Sequence, residues 1–233
     1  MNSLKLMLTV ALSSVIVISL SACGTKNAEE NITDSGISAF NEIVKSYPEK
    51  KGFHDSLQHW GFEVEPGEKF EWSQDMSANK ADFAMVVQAE PLINAGLDVE
   101  KLDKNVWIVQ EAGKDDMGME QPALLILPYD IADTKKTGKD SDESMKNLLA
   151  EDTDNLMYHE DQQHYVLNLG GTNEVIWTEE LGLNDSDMVF VLDAKPLMDA
   201  GLDISKLEGS GWVFKEASGE IPDQIVKTYD LKK

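Results

Sequence analysis

Four histidines are all the chain possesses, and they fall in two copies of one pattern, His54-x-x-x-Gln58-His59 and His159-x-x-x-Gln163-His164. Imidazole is the commonest transition-metal ligand and the one side chain whose ordinary pKa lies near neutrality. The four rings are therefore candidate ligands for zinc or copper, with Gln58 and Gln163 as candidate ligand-binding groups beside them. The second copy, His159-Glu160-Asp161-Gln162-Gln163-His164, is the helical zinc-protease string with one residue too many. At about 100° per residue, positions five apart stand about 140° apart on a helix and share no face. Convergence of the rings instead requires a turn running into a strand. A structural use fits the same residues, each His and Gln bonding a backbone group to fix the start of that strand.

Other chemistry is mostly absent. There is no G-x-S-x-G elbow, no phosphate-binding glycine loop and no C-x-x-C pair. Acidic groups such as Asp140, Asp142 and Glu143, or Asp185 and Asp187, lack the glycine and spacing of a calcium loop. Asp82 with Asp187 and Glu111 with Glu216 are paired carboxylates that would suit a minor role at a cleft. The 20 basic residues are all Lys, so the bidentate forks that recognise phosphate are missing, and the net charge of -23 repels nucleic acid.

The histidine pairing is part of a larger one. Residues 54–112 and 159–217 align without a gap at an offset of 105, with 19 identities over 59 positions. Trp72 meets Trp177, Trp107 meets Trp212, and Pro91-Leu92-x-x-Ala95-Gly96-Leu97-Asp98 meets Pro196-Leu197-x-x-Ala200-Gly201-Leu202-Asp203. A tandem duplication is the organising expectation. Each repeat opens with an amphipathic helix (Phe40, Ile43, Val44, Tyr47; Met145, Leu148, Leu149) and continues into an alternating hairpin around Pro66-Gly67 or Gly170-Gly171. The apolar runs 82–88 and 187–193 suit central strands covered on both faces. The Pro91 and Pro196 motifs predict short helices closed by left-handed Gly96 and Gly201, with Asp98 and Asp203 capping the next turn. Strands near 106–109, 123–127, 211–214 and 224–227 complete the units. The expected fold is α+β, two tandem homologous repeats, each a mixed or antiparallel sheet with short helices.

The N-terminus gives a location. Lys5 is the only charge in the first 25 residues, Leu6–Leu20 is an apolar run, and it ends in Leu20-Ser21-Ala22-Cys23, the chain's one cysteine. This resembles the lipobox of bacterial lipoproteins. The resemblance implies cleavage before Cys23, lipidation of its sulfur with diacylglycerol (palmitate-type chains), and a protein anchored to the bacterial cell membrane on its extracytoplasmic side. The expected divisions are a signal peptide (1–22), a lipidated N-terminus and flexible tether spanning about 20 Å (23–38), repeat 1 (39–131), a polar linker (132–142) and repeat 2 (143–233). The function expected is a membrane-anchored binding or interaction lipoprotein, its small-molecule ligand or membrane-protein partner met between the duplicated units. The alternatives are a metal-dependent hydrolase or redox protein using the paired histidines, and a structural accessory subunit of a membrane complex.

Overall fold

A computed structural model describes residues 26–55, 58–74, 81–114, 118–130, 140–151 and 153–232. The lipobox with Cys23, Asn79, which the offset of 105 pairs with the turn residue Asn184, and most of the linker lie outside them. The first half contains α1 (Lys26–Ser46), β1 (Lys51–His54), β2 (His59–Glu65), β3 (Glu68–Ser73), β4 (Phe83–Gln88), α2 (Glu90–Asn94), β5 (Ile108–Gln110), β6 (Gly113–Lys114), β7 (Glu120–Gln121) and β8 (Leu124–Tyr129). The second contains α3 (Ser141–Glu151), β9 (Leu156–His159), β10 (His164–Asn168), β11 (Glu174–Thr178), β12 (Met188–Asp193), α4 (Ala194–Asp199), β13 (Val213–Lys215) and β14 (Gln224–Tyr229). The fold is α+β with two six-stranded antiparallel sheets. Their orders, β1-β2-β3-β4-β8-β5 and β9-β10-β11-β12-β14-β13, are the same. A small β6-β7 ribbon lengthens the first half by five residues (113–123 against 218–223), so the offset of 105 falls to 100 at Tyr129 and Tyr229.

Local chemistry explains the elements. Gly67 at φ 77° and Gly170 and Gly171 at 90° and 63° make the hairpin turns. β4 and β12 lie inside their sheets, as nearly continuous apolar runs should. After α2, Leu97 N–H donates to the Leu92 carbonyl at 3.0 Å and Gly96 N–H to Ile93 at 2.9 Å, the two bonds of a Schellman motif. The same pair, Leu202 to Leu197 and Gly201 to Met198, closes α4. The edge strands β1 and β9 are elements that the hydrophobic pattern did not announce.

The two halves interlock. α1 lies against β9 and β11 of the second sheet, and α3 lies against β3 of the first. Trp177 Nε1 donates to the Gly36 carbonyl in α1 at 3.1 Å, and Trp72 Nε1 donates to the Ser141 carbonyl in α3 at 3.0 Å. Phe40 on α1 meets the rings of Phe62, Phe70 and Trp72 from one sheet and Trp177 from the other, so one core serves both. This corrects the expectation of a tether over residues 26–38: the helix already begins at Lys26, and Thr33 and Ile37 are buried, while 23–25 lie outside the described residues. Its early face consists of Ile32, Thr33, Gly36 and Ile37, whose small and polar members hide the helical period, with Gly36 lying against Tyr165 and Leu156.

Candidate functional site

Each His-x-x-x-Gln-His segment is the hairpin turn between an edge strand and its neighbour. His54 stands directly across from His59, and His159 across from His164, because β1-β2 and β9-β10 pair in that register. Antiparallel partners share a face, so convergence occurs within each unit. Gln58 (φ 54°) and Gln163 (φ 50°) occupy left-handed positions, the two non-glycine residues that do so among the described residues. Their carbonyls accept from Gln74 N–H and Glu179 N–H, both at 2.9 Å. The matched glutamines thus shape the turn through the backbone.

The two histidine pairs have different company. In the first unit His59 Nε2 lies 3.0 Å from the Ala81 carbonyl, which can only accept, so that nitrogen carries the proton. His59 Nδ1 lies 3.5 Å from Glu71 Oε2, and the His54 Nε2 lone pair accepts from the Lys69 ammonium at 3.0 Å. Lys69 also pairs with Glu71 at 2.9 Å. Burial and then the Lys69 charge hold His54 below its ordinary pKa. Burial alone would raise Glu71, but His59 and Lys69 outweigh it and the net shift is downward. At the corresponding places the second unit has Glu174 for Lys69 and Ile176 for Glu71. His159 Nδ1 and His164 Nε2 then approach each other at 3.2 Å, with ring centroids 5.1 Å apart. Desolvation lowers both pKa values, that of His164 to about 4. Among the described residues no three His, Cys, Asp or Glu side chains gather as a metal's ligands would.

A second feature lies between the units. Asn105, Val106, Trp107 and Leu127 of the first half face Leu169, Gly170, Gly171, Asn173, Asp193 and Pro196 of the second across a cleft of about 360 Å³. A second cleft of about 300 Å³ is lined by Gln88, Glu90, Pro91 and Asn94 of the first half and Lys206, Glu208, Gly209 and Ser210 of the second. The offset of 105 carries Asn105 to Ser210, Gln88 to Asp193 and Pro91 to Pro196, so the clefts occupy equivalent places. Between them the halves touch at Gly96 and Gly201, where Asp98 N–H donates to Ala200 and Asp203 N–H to Ala95.

No protein-family model, curated protein or solved structure matches the chain.

Unmatched residues of the two halves make the clefts differ. Beside the smaller one, the Lys227 ammonium from β14 reaches across to Glu68 Oε2 at 2.6 Å and Glu65 Oε2 at 2.9 Å, and Tyr229 Oη donates to Glu68 at 2.9 Å. Glu68 is fully buried there. At the equivalent places of the larger cleft stand Asn173 and Leu127, which line it without charge. Asn173 is held in place, its Oδ1 accepting from Asp193 N–H at 3.0 Å and its Nδ2 donating to the Gly170 carbonyl at 2.9 Å. The larger cleft is thus walled by Trp107, Leu127, Leu169 and Pro196, with Asn105 and Asp193 as polar groups.

The other paired polar residues have local duties. Asp98 and Asp203 cap the turns after them, Lys101 and Lys206 pair with those caps at 3.2 and 3.0 Å, and Asn184 ties its turn to Gln162 and Thr178. Asp187 is buried and accepts from Gly182 and Leu231 N–H, which gives it a backbone-fixing role. Glu111 and Glu216 are exposed. Glu174 carries no motif, yet burial pushes its pKa up to about 7 and its Oε2 has no hydrogen-bond partner.

Proposed function

We propose that the chain is a lipid-anchored extracytoplasmic binding protein, built by duplication, that holds a small and largely apolar molecule with one or two polar groups in the larger cleft between its units. Duplicated units present equivalent surfaces at their junction, and such junctions are preferred ligand sites. The observation that carries the reading is the pair of equivalent clefts with different walls: Lys227 and Glu68 form an ion pair beside the smaller one, whereas Leu127 and Asn173 at those positions line the larger one and carry no charge. The anchor rests on Leu20-Ser21-Ala22-Cys23. A lipid on Cys23 is the attachment this reading uses.

Two arms test it. Cys23→Ser should release the protein from the membrane fraction or leave an uncleaved precursor; a mature-sized species still in the membrane contradicts the anchor. In a thermal-shift screen of small metabolites, a stabilising compound should lose its effect on Val106→Trp, which fills the cleft from its half-exposed rim. Stabilisation unchanged by that substitution places the ligand elsewhere.

A further inference from the structure

We infer that His159 and His164 form a divalent transition-metal site on the edge of the second sheet, separate from the inter-unit cleft, and that His54 and His59 do not. Two nitrogens each 2.0–2.1 Å from one zinc ion at a tetrahedral angle stand about 3.3 Å apart. The observed 3.2 Å between His159 Nδ1 and His164 Nε2 matches that separation without movement of the backbone. The rings face each other because they are cross-strand partners beside a short turn, so strand pairing fixes their spacing before any metal arrives. Both are only partly buried, and water or a donor from a bound molecule can complete the coordination.

The comparison between units gives the site its specificity. In the first unit the His54 Nε2 lone pair is spent on Lys69 and the His59 Nε2 proton on Ala81, and the Lys69 ammonium at 3.0 Å would repel a cation. Glu174 and Ile176 replace Lys69 and Glu71 in the second unit, and His159 Nδ1 faces His164 Nε2 at 3.2 Å with the Asp161 carboxylate as the charge acting on His159. The neutral rings share one N–H between the facing nitrogens. A metal takes its place when that proton moves to the far nitrogen of the same imidazole, so no net proton is released.

Zinc chloride titrated into the purified full-length chain in detergent, followed by calorimetry, is the test. One zinc per chain is expected, with binding kept by His54→Ala and His59→Ala and weakened roughly 10–100-fold or more by His159→Ala or His164→Ala. Copper(II) in the same site should show hyperfine coupling to two imidazole nitrogens in its electron paramagnetic resonance spectrum. Should either alanine variant lose its fold by circular dichroism, His159→Gln or His164→Gln provides the comparison. Absence of binding by the native chain, or binding that survives loss of either His159 or His164, overturns the assignment.

Discussion

Glu174 and His164 lie on the same sheet and respond to burial in opposite senses. On β11, Glu174 faces Val191 and has its pKa raised from 4.5 to about 7 by desolvation. The folded chain holds this proton more tightly than the unfolded chain, so the contribution is complete below about pH 4.5 and is lost as the pH rises to about 7. For His164, desolvation and then His159 lower the value from 6.5 to about 4. Its contribution is present above about pH 6.5 and is lost as the pH falls toward 4. Between about pH 4.5 and 6.5 the slopes oppose and flatten the profile. Urea unfolding should find Glu174→Gln more stable than the native chain by roughly 1–3 kcal/mol above pH 7 and no different near pH 4; a gap that does not vary with pH contradicts the assignment. The sequence makes the histidine pairing visible. It does not show that the pairs differ in company, because the residues responsible, Lys69 and Glu71 against Glu174 and Ile176, lie on the adjoining strand and act through a register that only the sheet defines.

Helix α1 acts through a position with no side chain. A Cβ added at Gly36 would lie 3.0 Å from Tyr165 Cδ1 and 3.1 Å from Leu156 Cδ2, and the carbonyl there accepts from Trp177. Gly36→Leu must push the helix off the second sheet, and a cost of about 1–3 kcal/mol is expected from overpacking. Chemical denaturation measures it, and a loss below about 0.5 kcal/mol would show that α1 is not seated there. Elements with strong local signals were legible: the Pro-Leu-x-x-Ala-Gly-Leu-Asp motif specifies helix, left-handed glycine and cap within eight residues. Those whose signal lies in a partner were not. The first turns of α1 read as tether because their buried face includes Thr33 and Gly36, and β1 and β9 are four-residue edges with no full period to display.

At the scale of the molecule, exchange of helices between sheets makes the halves one body, and the open cleft is where their symmetry breaks. Gly96 and Gly201, at φ 102° and 107°, bring the backbones close enough that a Cβ on either would stand 3.0 Å from the other's carbonyl. On one side of that contact Lys227, Glu65 and Glu68 join the halves through charge; on the other Leu127 and Asn173 leave space. The repeated order of elements was legible from identities, but this asymmetry was not, since it depends on which unmatched residues meet across the junction. The reading as a binding protein is tested most directly by amide-resolved nuclear magnetic resonance during titration with a library of small metabolites. It predicts shifts confined to the amides of Asn105, Val106, Gly170, Gly171 and Asn173, and their loss in Val106→Trp. Shifts gathered elsewhere, or no shift with any compound, would contradict the cleft as a ligand site.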